Sequence, residues 1–579
     1  VRIESRRSTL IPQSEAALVL LALAVVWFAL FFQLGKLPLL QPDEGRNTEV
    51  AREMKESGAW LSPSYDGIAY LDKPAFYFKA VALSLAAFGN NEAAARLPSA
   101  IFGLATLALA YGFCRRIYGA RCAGMAVIVV ATMPLYVVLS RTVIFDIALA
   151  FFVVAAIFAG YLAEECEGKS RRSWYLLGAL AAGFATLVKG PVGFLIPGLV
   201  LFVFHRLEGR RGVWKRFFAP LNLLAFFGVT LPWFIGLSLQ HPDFPYYGLI
   251  EESFHRFTTT TFHRSQPFYF YALIVAGLFL PWSFILPEAG LAAWNNKKFM
   301  TSADRLCFVW AVVVVIFFSL SKSKLPGYIL TVTVACGILV ARFFQRAMAN
   351  PDGKSARIIC RAAITLAVLC FLVAAAAIYL SPRMALLAKP LRLPAEEAAE
   401  LGRHFTTPII LLSVFGVLGL LARFRRDAGL CFVIFAVFPV LLFTLNLGAI
   451  EVVFNFKSAR LLARQMPPLP PETDLVFLEC FPNGLPFYLN RTATLVTSDG
   501  GEITSSSNYI LFRLKNDPHW PTNLVPVTEF DHWLAGRKHP VYLLANSNRS
   551  FQLEAVAGIQ KTNLQQLTPQ YVGVLLPAP

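Results

Sequence analysis

The chain has 579 residues, of which 56% are hydrophobic and only 15% charged, with a mean hydropathy of +0.57. That composition excludes a string of soluble domains, which at this length carry far more surface charge. The formal net charge of +17 does not imply a nucleic-acid partner, because Lys and Arg cluster in short loops between apolar runs, where they set orientation in a membrane.

Thirteen apolar runs approach the ~20-residue length that crosses a bilayer, and each is predicted to be helical because backbone groups in lipid have no water to bond. They lie at roughly 16–34, 97–113, 123–140, 147–163, 174–188, 190–204, 217–238, 268–287, 306–320, 326–341, 362–380, 407–422 and 429–447. The first follows Arg2, Arg6 and Arg7 without a small-residue cleavage site, so it reads as a retained anchor. Residues 74–89 are apolar but short and interrupted by Lys79. Counting them as a crossing would place every later basic loop outside, so they read as a helix lying along the interface.

Loop charge then sets the topology. Arg115, Arg116 and Arg121 follow the second run, and Lys169, Arg171 and Arg172 follow the fourth. Arg206, Arg210, Arg211, Lys215 and Arg216 follow the sixth; Arg423, Arg425 and Arg426 follow the twelfth. These alternate loops are assigned to the cytoplasm with the N-terminus, leaving the C-terminus outside. A membrane domain over 1–447 is expected, including a structured first outer loop at 35–96. Beyond it the Pro-rich stretch 466–471 opens a tail with β-like runs at 474–480, 493–497, 541–545 and 571–576. The expected fold is an all-α polytopic membrane protein with a small soluble α/β domain over 448–579.

Of nine cysteines, only Cys480 falls on the outer side, and no Cys-x-x-Cys spacing occurs. The outer loops instead carry acids and bases together. Asp43, Arg46, Asp72 and Lys73 lie in the first, Arg141 and Asp146 in the next, and Lys189 heads Lys189-Gly190-Pro191. Glu251, Glu252, His255, Arg256, His263 and Arg264 come next, then Lys322 and Lys324. Charge at a span end is ordinarily just solvated. Asp146 resists that reading, since no other charge follows it until Glu164; Asp43, behind an apolar LPLL run, resists it too. Residues 46–56 have helix-forming composition, which would hold Asp43 and Arg46 on a rigid element.

Such groups suffice to move a sugar off a lipid phosphate. A carboxylate orients or deprotonates the acceptor, or stabilises positive charge on the sugar, while cations hold the departing phosphate. Glu251 and His255 stand four apart, with His263 nearby, a set that would suit a structural zinc. The outer loops lack the Asp-x-Asp arrangement that holds Mg²⁺ on a nucleotide sugar, and no cofactor is expected to be required for the chemistry. The main competing class is a lipid or solute transporter. Transport sites gather near the midplane, whereas these spans are nearly free of charge.

Several blocks resemble GT-C-type glycosyltransferases, the group that includes protein O-mannosyltransferases and the bacterial 4-amino-4-deoxy-L-arabinose lipid A transferases. They are Gln41-Pro42-Asp43-Glu44-Gly45-Arg46, Tyr70-Leu71-Asp72-Lys73-Pro74, Leu139-Ser140-Arg141 ahead of Asp146, Val188-Lys189-Gly190-Pro191, and Ser321-Lys322-Ser323-Lys324-Leu325-Pro326-Gly327-Tyr328. The family often has Lys-Pro-Pro where this chain has Lys73-Pro74-Ala75. The resemblance runs from about 20 to 345; beyond that the match rests on hydropathy. It implies an inverting transferase of a bacterial inner membrane, with an undecaprenyl-phosphate aminosugar donor and a lipid A phosphate acceptor on the periplasmic side. It also implies catalytic roles for Asp43 and Asp146. Lys73, Arg46, Tyr70, Arg256, Lys322, Lys324 and Tyr328 are implied to bind the donor phosphate or substrate.

Overall fold

The structure is a computed structural model that describes residues 15–259, 264–295, 301–388, 393–503, 521–551, 553 and 564–578. The chain divides into two compact units. One comprises Val1–Leu34, Arg96–Leu387 and Ala398–Ala449; the other comprises Gly35–Ala95, Ala388–Glu397 and Ile450–Pro579. The first outer loop, grouped with the spans in the sequence reading, thus belongs to the unit that holds the C-terminal segment.

The protein is a mostly helical, multi-span membrane protein with a C-terminal mixed sheet. Among the described residues seven helices are long and apolar enough to cross a membrane. They are Glu92–Tyr118, Asp146–Glu164, Pro220–Gln240, Ser302–Leu320, Val332–Ala349, Lys354–Leu387 and Thr406–Arg425, and the number rises to nine if each of two bent helix pairs is one span. Two expected runs are corrected in continuity. The 123–140 run is two helices, Ala120–Ala131 and Pro134–Ser140, bent by 73°. Pro134 forces the break, since the residue before a proline avoids helical backbone and Met133 is extended, with φ −70° and ψ 124°. The 268–287 run is Phe270–Leu278, a 3₁₀ turn Trp282–Phe284 and Leu286–Asn295, interrupted at Pro281.

Within the helical unit, Asp146–Glu164 is enclosed by Gly168–Lys189 and Val192–Leu207. Phe158 stacks on Phe113 at 3.9 Å and meets Trp310 edge-on at 5.9 Å. Trp282 is fully buried against Phe344, Phe432 and Phe435, with its indole N–H donated to Thr132 at 2.9 Å. A helix of this length spans roughly 27 Å. One end carries Asp146. At the other, Glu164 accepts from Arg216 at 2.7 and 2.9 Å. Glu208 accepts from Arg305 at 2.6 Å, and buried Asp304 binds Tyr118 at 2.9 Å and Arg342 at 3.3 Å. Polar groups thus collect at both ends of the bundle and leave its middle apolar, as lipid requires.

The second unit opens with the helix Asp43–Ser57, then a hairpin of β1 (Ser64–Tyr65) and β2 (Ile68–Ala69), then the helix Phe76–Phe88 packed on the first. Asp66 and Gly67 both have positive φ, 54° and 73°, the Asp-Gly turn that matches the twist of a two-residue hairpin. The 74–89 run is therefore a helix as expected, with Tyr77, Phe78, Val81, Ala82 and Leu85 buried. The C-terminal sheet has six strands: β3 (Asp474–Leu478), β4 (Thr494–Thr497), β5 (Leu524–Pro526), β6 (Val541–Asn546), β7 (Gln565–Thr568) and β8 (Tyr571–Leu576). Their order is β5-β4-β3-β6-β8-β7, parallel from β5 to β6 and antiparallel across β8 and β7. All four β-like runs of the tail are strands. β5, only three residues long, and β7, mostly polar, carry too little alternation to read. Cys480 is buried, with its Sγ 3.5 Å from the Leu544 carbonyl, and burial pushes its thiol pKa up.

Candidate functional site

In the second unit the chemistry-bearing residues start at the first turn of the helix Asp43–Ser57. Asp43 and Glu44 stand at its N-terminus, where the helix dipole favours a carboxylate. One turn later, Arg46 donates to Asp43 at 2.5 Å, with Asp43 43% exposed and Arg46 only 10%. The guanidinium lies 5.9 Å from the ring centre of buried Tyr70. Burial opposes its charge, yet Tyr70, Asp43 and Asp72 around it hold the pKa above the ordinary arginine value. Its Nε has no partner among the described residues. A buried, permanently charged donor beside a half-exposed carboxylate suits recognition of an anion.

Lys73 reaches this unit through the hairpin. Glu53, one face further along the helix, accepts from Ser64 Oγ at 2.6 Å, Asp66 N–H at 2.5 Å and Gly67 N–H at 3.1 Å. Tyr70 N–H then bonds the Pro63 carbonyl at 2.8 Å, and Lys73 Nζ donates to the Asp72 carbonyl at 2.5 Å. Helix, hairpin and the Tyr70–Lys73 stretch are therefore one braced piece.

In the helical unit a second cluster forms around Asp146. Lys189, the last residue of the helix Gly168–Lys189, donates to Asp146 at 2.6 Å, with both side chains largely buried. Its ammonium sits 4.7 Å from the Tyr328 ring centre and 5.6 Å from that of Phe145. A Cβ at Gly327 would meet Asp146 at 3.1 Å, so the small residue lets this turn close on the carboxylate. Arg256 and Lys189 both bring positive charge to the Tyr328 ring. Tyr328, Lys189 and Arg256 thus share an electropositive neighbourhood. Arg256 is itself paired with Glu252 at 2.6 Å.

The two lysines of Ser321–Lys324 separate. Lys322 is exposed, while Lys324 is buried and donates to the Gln266 and Ser321 carbonyls at 3.0 and 2.6 Å. Lys324 is accordingly a brace for its loop, which a single bridge between Ser265 and Ser323 also holds. Its role as a phosphate ligand, implied by the resemblance, has to compete with those two bonds.

Glu251 and His255 lie on one π-helical turn and pair with each other at 3.2 Å. His263 lies outside the described residues, and among the described residues no group of three metal-ligating side chains converges. Lys189 is the partner that the sequence reading placed in an outer loop without assigning it to the site. Its signal was its position in Val188-Lys189-Gly190-Pro191, at a helix end one residue before a positive-φ glycine.

Residues 72–235 match the family model described as Dolichyl-phosphate-mannose-protein mannosyltransferase. The crystal structure of ArnT from Cupriavidus metallidurans bound to undecaprenyl phosphate is similar with a TM-score of 0.83 and 27% identity, covering 97% of this chain and 98% of that one. The chain is thus ArnT-like, with the fold of a GT-C glycosyltransferase. Its apo counterpart gives a TM-score of 0.80. The undecaprenyl phosphate-alpha-4-amino-4-deoxy-L-arabinose arabinosyl transferase of Edwardsiella ictaluri is 30% identical over 324 residues, 55% of this chain and 58% of that protein. One from Pseudomonas fluorescens is 29% identical over 348 residues, 58% of each. The alignment thus spans less than two thirds of these curated relatives, whereas the ArnT-like fold extends over nearly the whole chain. Both clusters described above fall within the ArnT-like fold, and Asp146 and Lys189 fall within the matched family segment.

Proposed function

We propose that this ArnT-like protein transfers 4-amino-4-deoxy-L-arabinose from undecaprenyl phosphate to a phosphate of lipid A. The reaction takes place on the periplasmic face of a bacterial inner membrane. The observation that carries the reading is the Asp43–Arg46 pair on a braced helix, in a chain whose fold matches an ArnT bound to undecaprenyl phosphate. Thirteen crossings, with the first outer loop and the C-terminal segment outside, are part of the same proposal. So is chemistry that needs no metal; a zinc at Glu251, His255 and His263 would be structural.

In the proposed step an oxygen of the acceptor phosphate attacks the anomeric carbon from the face opposite the leaving group. The new bond forms as the bond from that carbon to the carrier phosphate oxygen breaks, with inversion, and undecaprenyl phosphate departs with the electron pair. Arg46 and Lys73 neutralise the charge that builds on it. A phosphate monoester has a second pKa of ~6, so near neutral pH the acceptor is already largely dianionic. Asp43 then orients it or takes a residual proton. Asp146, held by Lys189, is the second catalytic carboxylate of the proposal, and Tyr328, Arg256 and Lys322 are further substrate-binding groups.

The test is sugar transfer by purified protein from a polyprenyl-phosphate aminoarabinose donor to lipid A. Wild type is expected to form product, and Asp43→Asn to lose about 100-fold or more of kcat/KM with the melting temperature kept. Product only with a hydroxyl acceptor would move the reading to protein or glycan transfer. Equal product from both proteins would remove Asp43 from the site.

A further inference from the structure

The first turn of the helix Asp43–Ser57 lies flat on a turn of the C-terminal segment, within one unit. A Cβ at Gly45, between Asp43 and Arg46, would come within 2.5 Å of the Asn483 carbonyl oxygen and 2.9 Å of the Gly484 nitrogen. Gly484 in turn has φ +90°, so the backbone there takes a form that other residues rarely adopt. A second route runs through side chains. Asn483 accepts from the Tyr65 hydroxyl at 2.5 Å, Tyr65 meets Tyr70 edge-on at 6.2 Å, and Tyr70 lies beneath Arg46. The approach to the helix is fastened as well. Gln41 N–H bonds the Lys457 carbonyl at 2.9 Å, and Leu39 N–H bonds the Tyr488 hydroxyl at 2.9 Å, which donates to Glu92 at 3.2 Å. Residues on both sides of Asp43 are thus held by the C-terminal segment.

We infer that the C-terminal domain is a positioning device for the reactive first turn, with Asn483 and Tyr488 as positioning residues and Gly45 as the point of contact. The inference rests on the transferase reading. Its physical basis is that the rigid sheet, through the Phe481–Gly484 turn leaving β3, sets where Asp43 and Arg46 stand, and a displacement of about 1 Å at a reacting group can cost ~100-fold in rate. The domain need touch no substrate to do this.

The experiment uses the full chain in lipid nanodiscs with the polyprenyl-phosphate aminoarabinose donor and lipid A. Asn483→Leu and Gly45→Ala are compared with Leu543→Ala, which lies in the sheet core and lowers stability without touching the turn. Expected are a 10- to 100-fold fall in kcat for the first two, with donor KM within about twofold, and faster amide exchange over residues 40–50. Leu543→Ala should lower the melting temperature and keep kcat. The inference is overturned if the first two keep wild-type kcat, lose no more than Leu543→Ala, or leave exchange over 40–50 unchanged. Should wild type transfer no sugar at all, the functional reading fails, and the exchange arm alone decides the positioning: faster exchange supports it and unchanged exchange overturns it.

Discussion

Asp146 and Lys189 are buried together, and neither charge is tolerable there alone. Removing one partner of a buried pair leaves the other uncompensated, at a typical cost of 3–5 kcal/mol, whereas removing both costs less than the sum. Asp146→Ala and Lys189→Met are each expected to lose about 3 kcal/mol of stability, and the double variant clearly less than about 6. Additive losses in a thermal-unfolding cycle would show that the two charges are not coupled. Asp66 gives a pH prediction. It is buried, accepts from the Ala493 N–H at 2.9 Å, and its other oxygen has no partner among the described residues. Burial is the largest of the effects that push its pKa well above the ordinary carboxylate value. A folded carboxyl with a raised pKa holds its proton more tightly than the unfolded one, so its contribution to stability falls as pH rises above ~4. Asp66→Asn keeps the acceptor and tolerates positive φ, so melting temperature should fall less between pH 5 and 8 than in wild type. An unchanged slope would mean that Asp66 does not titrate in this way. At this scale the sequence draws attention to Asp43 and Asp146, whose charge lies beside apolar runs. Lys322 and Lys324 were not separable, since identical residues two apart differ only in what the folded loop offers them.

Helix Asp43–Ser57 and hairpin β1–β2 act as one element because Glu53 gathers three donors. Glu53→Ala leaves the buried Asp66 N–H without its acceptor, where an unsatisfied group costs ~1–3 kcal/mol, and frees the Ser64 and Gly67 donors as well. The expected loss is about 2–3 kcal/mol, read by thermal unfolding, together with looser exchange at 64–73. Normal exchange there would mean that the hairpin is held by other contacts. At this scale the sequence was informative wherever the pattern is local. The helix expected over 46–56, the helix over 74–89 and the strands expected from the four β-like runs of the tail all formed. The Asp66-Gly67 turn, flanked by Tyr65 and Ile68, is also a local signal, one that the sequence reading passed over. Breaks in spans were harder. Pro134 and Pro281 announce an interruption, but whether a proline kinks a helix or ends it depends on what neighbouring helices do with the freed carbonyls.

The largest departure concerns which segments fold together. Residues 35–95 form a unit with residues 450–579 and not with the spans on either side of them in sequence. A chain ending at residue 449 would leave Leu39, Gln41, Tyr65 and Asp66 without the partners they have in Tyr488, Lys457, Asn483 and Ala493. Such a variant is expected to insert in the membrane, since the long apolar helices remain, but to lose exchange protection across 36–95 and to transfer no sugar. Retained protection would show that the first outer loop folds by itself. Composition and loop charge alone determined that this is a many-span membrane protein with a separate β-containing tail, because transfer of ~20 apolar residues into lipid is decided segment by segment. The order of a few polar blocks also carried the resemblance to GT-C glycosyltransferases. The pairing of Asp146 with Lys189, the sinking of Lys324 onto carbonyls and the seating of Gly45 on Asn483 were decided only by tertiary structure. These contacts join residues from three to more than four hundred positions apart, and no local periodicity encodes which of many polar groups will meet once apolar burial has drawn the helices and the sheet together.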